Sequence, residues 1–131
     1  MTMRRRDGDV AHVIVISRNP ETRDGLQRYL TESGLQANAL ASVDADAVPS
    51  DASAVVLFPD DFSGQAIQAF ARDLTRARPT AFMVLVTSEL PRLELLLYGD
   101  PGSRVVLPRP SDGWSIVDAI RAHRDTVSPP R

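Results

Sequence analysis

Val13-Ile14-Val15-Ile16-Ser17-Arg18-Asn19-Pro20 decides the fold. Its first four residues are all β-branched, with no polar alternation, which is the pattern of a strand buried on both faces of a parallel sheet. Asn19 then supplies a helix N-cap, and Pro20 a first-turn residue whose fixed φ suits a helix start. A doubly buried strand running straight into a capped helix is the opening of a βα unit. Leu26, Tyr29 and Leu30 continue it at helical spacing as far as Gly34, a C-terminal cap residue.

The same alternation repeats along the chain. Leu35 to Ala41 reads as a second strand, and Ser42 to Asp51 leaves room for a short acidic helix with Pro49 near its end. Ala54-Val55-Val56-Leu57-Phe58 is a third strand stopped by Pro59, and a helix from Ser63 to Ala77 carries Ile67, Phe70, Ala71 and Leu74 on one face. Phe82 to Val86 is a fourth strand ending in Thr87-Ser88, and Pro91 to Tyr98 is helical and closes at Gly99. Arg104 to Leu107 makes a fifth strand before Pro108-Arg109-Pro110, and Ser111 caps a last helix bearing Ile116, Val117 and Ile120. Five strands alternating with helices predict an α/β fold: a doubly wound, five-stranded parallel sheet with helices on both faces. The ladder occupies residues 11–125, with an N-terminal arm at 1–10 and a C-terminal tail at 126–131.

Composition narrows the chemistry. The chain has 131 residues, 43% hydrophobic and 24% charged, which suits one soluble domain rather than a disordered segment. A net charge of -2 gives no basis for broad nucleic-acid binding, and the one basic run, Arg4-Arg5-Arg6, is followed by Asp7 and Asp9. Without cysteine there is no disulfide, thiolate nucleophile or Cys-based metal site. No signal-peptide pattern opens the chain and no apolar run is long enough to insert in a membrane, so a cytoplasmic location is expected. All 15 basic residues are arginine, which removes Schiff-base and Walker-type lysine chemistry. His12 and His123 have no metal-ligand partner at sequence spacing, and no serine stands in a nucleophile-elbow setting. An enzyme is not expected, nor a cofactor.

In doubly wound sheets the site lies beyond the carboxyl ends of the strands. Those ends are Ser17-Arg18, Pro59-Asp60-Asp61, Thr87-Ser88 and Arg109-Pro110. Over residues 11–125 this set resembles the receiver domain of bacterial two-component response regulators. Val13 to Pro20 is similar to the family's first strand and acidic turn, Val84-Leu85-Val86-Thr87-Ser88-Glu89 to its fourth strand with the switch threonine, and Val105-Val106-Leu107-Pro108-Arg109-Pro110 to its fifth strand with arginine in place of lysine. The resemblance implies a flavodoxin-like receiver fold with its active site at these positions.

The departures are at the chemistry. Where the family holds magnesium with an acidic pair, this chain has Ser17 and Arg18, and a hydroxyl and a fixed cation do not replace two carboxylates on a hard ion. The phosphoacceptor position falls on Phe58 or Pro59, neither of which takes a phosphoryl group. Val106 stands where the family has an aromatic switch residue. The expected protein is therefore a non-phosphorylated pseudo-receiver: a protein–protein interaction module in bacterial signalling or cell organisation, binding another signalling protein or a second copy of itself, and no magnesium. Two alternatives stay open. A one-residue bulge would bring Asp60 toward the acceptor position, or Arg18 and Arg109 would line a crevice for a small anionic ligand. Against these, Asp60 and Asp61 read as loop acids near a helix start, and the two arginines as ion-pair partners of those acids. The partner face is expected to combine Leu93, Leu95 and Tyr98 with Val106 and Trp114.

Overall fold

The computed structural model describes residues 11–77, 81–88, 104–108 and 113–127. The N-terminal arm, the helix expected from Pro91 to Tyr98, and Arg109 lie outside the described residues.

Five strands form one all-parallel sheet: β1 (His12–Ile16), β2 (Gln36–Leu40), β3 (Ala54–Leu57), β4 (Phe82–Thr87) and β5 (Arg104–Pro108), in the order β2-β1-β3-β4-β5. This is the flavodoxin-like order, in which the chain reverses its direction of travel between β1 and β3. Three α-helices are described: α1 (Pro20–Glu32), α2 (Gly64–Ala77) and α3 (Gly113–Val127). The last includes residues 126 and 127, which the sequence placed with the tail.

Every residue of β1, β3 and β4 is buried, which is why their sequences are apolar except for His12 and Thr87 at the strand ends. Alternate side chains enter two separate cores. Val13, Val15, Val56 and Val84 meet Leu30 of α1 and Ile116, Val117 and Ile120 of α3 on one face. Ile14, Ile16, Val55, Leu57 and Leu85 meet Ile67, Phe70 and Leu74 of α2 on the other. Burial of each such side chain contributes about 1.5–3 kcal/mol, so the central strands anchor the domain.

The helix signals act as their chemistry requires. Asn19 Oδ1 accepts from the N–H groups of Glu21 (2.8 Å) and Thr22 (3.2 Å), with Pro20 at the first helical position. At the other end Gly34 adopts φ 94°, where an L side chain would be strained. Its N–H donates to Thr31 O at 3.1 Å and that of Leu35 to Leu30 O at 3.0 Å, the Schellman arrangement. Leu30 and Leu35 are both in the core beneath it.

The segment after β2 is reduced. In place of the helix expected over Ser42 to Asp51 there is a single 3-10 turn, Ala45–Ala47. Asp44 caps it by accepting from Asp46 N–H, and Ala45, Val48 and Ala52 are its buried residues. Three aspartates and a proline in ten residues favour turns over a continuous helix.

β2 is an edge strand. Gln36 donates to Ala11 O and Leu40 accepts from Ser17 N–H, so alternation turns the backbone polar groups of Ala37 and Ala39 to the outer border. Gln27 of α1 reaches over that border and donates from Nε2 to Ala37 O at 2.9 Å.

Candidate functional site

β1 ends at Ile16, and Ser17 follows as a fully buried residue at the sheet's carboxyl edge. All of its polar atoms are engaged. Its N–H donates to Leu40 O (3.2 Å), its carbonyl accepts from Arg23 Nη1 (2.8 Å), and its hydroxyl accepts from Asn19 N–H (3.1 Å). The hydroxyl in turn donates to Asp61 Oδ2 at 2.7 Å. The same carboxylate oxygen accepts from Arg18 N–H at 3.1 Å.

Asp61 comes from the exit of β3. Phe58 N–H donates to Ile16 O at 3.2 Å, and Phe58 and Pro59 are buried. Pro59–Asp61 then forms one 3-10 turn, closed by Asp61 N–H to Phe58 O (3.1 Å) and Phe62 N–H to Pro59 O (3.1 Å). Successive side chains on such a turn point about 120° apart. With β3 between β1 and β4, Asp61 reaches the end of β1 while Asp60 reaches the end of β4. Thr87, itself buried, donates its hydroxyl to Asp60 Oδ1, and Ser88 donates both its N–H and its hydroxyl to Asp60 Oδ2, each at 3.0 Å.

Two expectations change here. Asp60 and Asp61 lie in the connection before α2, as expected of loop acids, but among the described residues their side-chain hydrogen bonds run to the strand ends. They are clamps that tie the β3 exit to both neighbouring strand ends. Arg18 does not form the expected ion pair with them: among the described residues its contribution to Asp61 is the backbone N–H. Its guanidinium lies over the Phe62 ring instead, 5.9 Å from the centroid, a cation–π distance. Arg109 lies outside the described residues, so the two-arginine crevice is not assembled among those described.

The arrangement does not fit a magnesium ion. A hard divalent cation takes several converging anionic oxygens. The two carboxylates diverge, the β1 position offers a hydroxyl whose hydrogen is committed to Asp61, and the next side chain is a cation. No group of three histidine, cysteine or acidic residues is placed to hold a metal among the described residues.

The proposed partner face is likewise divided. Val106 packs into the α2-side core, whereas Trp114 stands 57% exposed on α3, which covers the opposite face. Leu93, Leu95 and Tyr98 lie outside the described residues. No helix among the described residues is long and apolar enough to cross a membrane.

Sequence reasoning missed the partners rather than the positions. Ser88, Phe62, Arg23 and Asn19 complete the strand-end network. His12, read as isolated, is buried at the opposite end of β1, donating from Nδ1 to Asp51 Oδ1 (2.9 Å) and accepting at Nε2 from Asn38 Nδ2 (2.9 Å). It ties β1 to β2 and to the segment before β3. The available signal was a histidine inside a buried run, since a buried polar ring requires partners. His123 stacks flat on Phe82, centroids 3.9 Å apart and 6° from parallel, and desolvation lowers its pKa below the ordinary histidine value.

No protein-family model and no curated protein sequence matches the chain. Solved structures do. A response regulator receiver protein from Sinorhizobium medicae superposes with a TM-score of 0.73 at 13% identity, over 89% of this chain and 96% of that one. A CheY-like receiver domain from Methylobacillus flagellatus gives 0.64 at 20% identity, over 87% and 98%. A pilus assembly-related protein from Burkholderia pseudomallei gives 0.69 at 15% identity, over 98% of each chain. At these identities what is shared is the fold, and that fold is the response-regulator receiver fold.

Proposed function

We propose that this chain is a pseudo-receiver: a non-enzymatic protein–protein interaction module of bacterial signalling whose conformation does not depend on phosphorylation. One observation carries the reading. The chain's own carboxylates are hydrogen-bonded to the strand-end residues that resemble a receiver's switch threonine and first-strand turn. Asp60 engages the threonine that the family uses as a switch, together with Ser88, and Asp61 engages the β1 turn through Ser17 and Arg18. A clamp made of the chain's own side chains forms without any added group, so on this reading the output is set by where and when the module binds. Its partner is another signalling protein or a second copy. The likeness to a pilus assembly-related protein over the whole length suits a module of this kind in cell organisation.

The displaced-acceptor alternative is disfavoured by the same contacts. Among the described residues three hydrogen bonds hold the Asp60 carboxylate, which occupies the oxygens that would have to attack a phosphoryl group. The anion crevice is disfavoured because two carboxylates sit at the strand ends.

Acetyl phosphate with magnesium, followed by intact mass measurement, tests the reading. The expected result is no mass increment. An increment that Asp60→Asn abolishes would replace the proposal with the displaced-acceptor mechanism.

A further inference from the structure

The amino end of the sheet, opposite the strand-end clamps, holds a second polar cluster, built on His12. This residue opens β1 and is 6% exposed, and its carbonyl accepts from Ser53 N–H at 2.8 Å. Alternation puts its ring on the face of Ile14 and Ile16, the face covered by α2. Gln36 pairs with His12, so Asn38 reaches the ring from two residues further along β2. Asp51 reaches it from the segment before β3.

The two ring nitrogens play opposite parts. An ionised Asp51 offers only acceptor oxygens, so Nδ1 carries the proton and donates to Oδ1 at 2.9 Å. Nε2 is then the acceptor, and Asn38 Nδ2 donates to it at 2.9 Å. These bonds select the Nδ1–H tautomer of a neutral imidazole. A second proton on the ring has one place to go, Nε2, and there it would set N–H against N–H.

The partners differ in how they meet that conflict. Asp51 keeps its bond and becomes a counter-ion. Asn38 resolves it by turning its amide over, which brings Oδ1, an acceptor, to the place of Nδ2. Both partners are exposed, the Asp51 side chain by 71%. A buried ring thus exchanges protons with water through surface groups, and the inversion displaces no core side chain. The other charges on this side of the sheet are turned to solvent: Asp44 and Asp46 at the 3-10 turn, and Arg72, Asp73 and Arg76 on α2, with Arg72 and Asp73 paired at 3.3 Å. The neighbouring strands β2 and β3 carry no charged residue. Among the described residues the charge bonded to His12 is that of Asp51.

We propose that His12, Asp51 and Asn38 form a proton-responsive hydrogen-bond switch. As pH falls through the histidine range, His12 takes up one proton at Nε2 and the Asn38 amide inverts to accept from it. Neither group touches the strand-end clamps, so the switch stands whether or not the chain takes a phosphoryl group.

Long-range 1H–15N NMR of the histidine rings, with the Asn38 side-chain amide followed in the same samples from about pH 8 to about pH 5, tests it. At the upper end His12 should show a protonated Nδ1 and a bare Nε2. On acidification both nitrogens should become protonated, and the Asn38 amide resonances should shift with the same midpoint while far-ultraviolet circular dichroism stays constant. His123, on the other face of the sheet, is the internal control, and its titration should leave the Asn38 amide unmoved. Asn38→Asp supplies an acceptor that needs no inversion, so its His12 midpoint should rise by about one pH unit or more, a tenfold gain in proton affinity. Asp51→Asn removes the counter-ion and should lower the midpoint, with Asn38 still following the ring. An Nε2–H tautomer at high pH overturns the proposal, as does a His12 ring that stays neutral to about pH 5. An Asn38 amide that ignores the ring, or an Asn38→Asp chain with the wild-type midpoint, overturns it equally.

Discussion

Replacing Asp61 by alanine should destabilise the chain, and the sign of the effect separates a clamp from a cation site. In a site built to hold a metal, removing one acid from the metal-free protein relieves like-charge crowding, and stability rises. Here Asp61 Oδ2 accepts from the Ser17 hydroxyl at 2.7 Å and the Arg18 N–H at 3.1 Å. Hydrogen bonds to a charged acceptor contribute about 1.5–3 kcal/mol each, and the exposed Arg18 bond belongs at the bottom of that range or below. Ser17 is fully buried, so its hydroxyl would lose its acceptor with no direct access to water. The expected cost is about 3 kcal/mol, a fall in melting temperature on the order of 10 °C for a chain of this size. Asp61→Asn keeps an acceptor oxygen and should cost about 1 kcal/mol. Urea denaturation followed by far-ultraviolet circular dichroism measures both, with Ser17→Ala completing a double-mutant cycle whose coupling should be about 1–2 kcal/mol. Trp114 is too exposed to serve as the reporter. An Asp61→Ala chain that melts within about 2 °C of wild type, or above it, refutes the clamp.

Titrating magnesium to millimolar levels should leave the amide resonances of Ser17, Asp60, Asp61 and Thr87 unmoved, whereas saturable shifts there would show a cation site. Arg18→Asp should lower stability by about 1 kcal/mol, since it replaces a guanidinium resting on Phe62 with a carboxylate beside Asp61; a higher melting temperature would mean that the local charge balance has been misjudged. The pKa of His123 is lowered by desolvation, so the unfolded chain takes up that proton more readily than the folded one. Its share of stability should be complete above about pH 6.5 and decline as pH falls through the folded value, and His123→Gln should flatten that part of the stability profile.

What the sequence disclosed followed from whether the governing interaction was local. The β-branched runs at Val13–Ile16 and Val55–Val56 mark buried parallel strands because both faces of such a strand need apolar side chains. Asn19-Pro20 and Gly34 mark the ends of α1 because caps act within a turn of themselves. The clamps have no such signature. Asp61 lies 44 residues from Ser17 and Asp60 lies 27 from Thr87, and nothing periodic joins them. His12 finds Asp51 and Asn38 at separations of 39 and 26. The residues of the strand-end site were thus identifiable from topology, while the pairing among them was not. Arg18 shows the same limit from another side: its charge was legible, but its resting place on Phe62 depends on how the β3 exit turns. Gly113 shows it again, since the need for glycine there comes from the Tyr29 ring, which a Cβ would approach to 2.6 Å.

The amide of Gln27 on Ala37 has a consequence for the chain in a crowded cell. An uncovered outer strand is a template: its unused carbonyl and N–H groups can recruit any extended segment, and identical chains that do so in succession build fibrils. β2 is only five residues long, and two of those, Ala37 and Ala39, turn their backbone groups outward. With the Ala37 carbonyl already occupied by a side chain from the chain's own helix, an incoming strand finds its first bond taken and must displace Gln27 before it can align. The Gln27 amide thus covers one of the two residues whose backbone groups face outward on this edge strand.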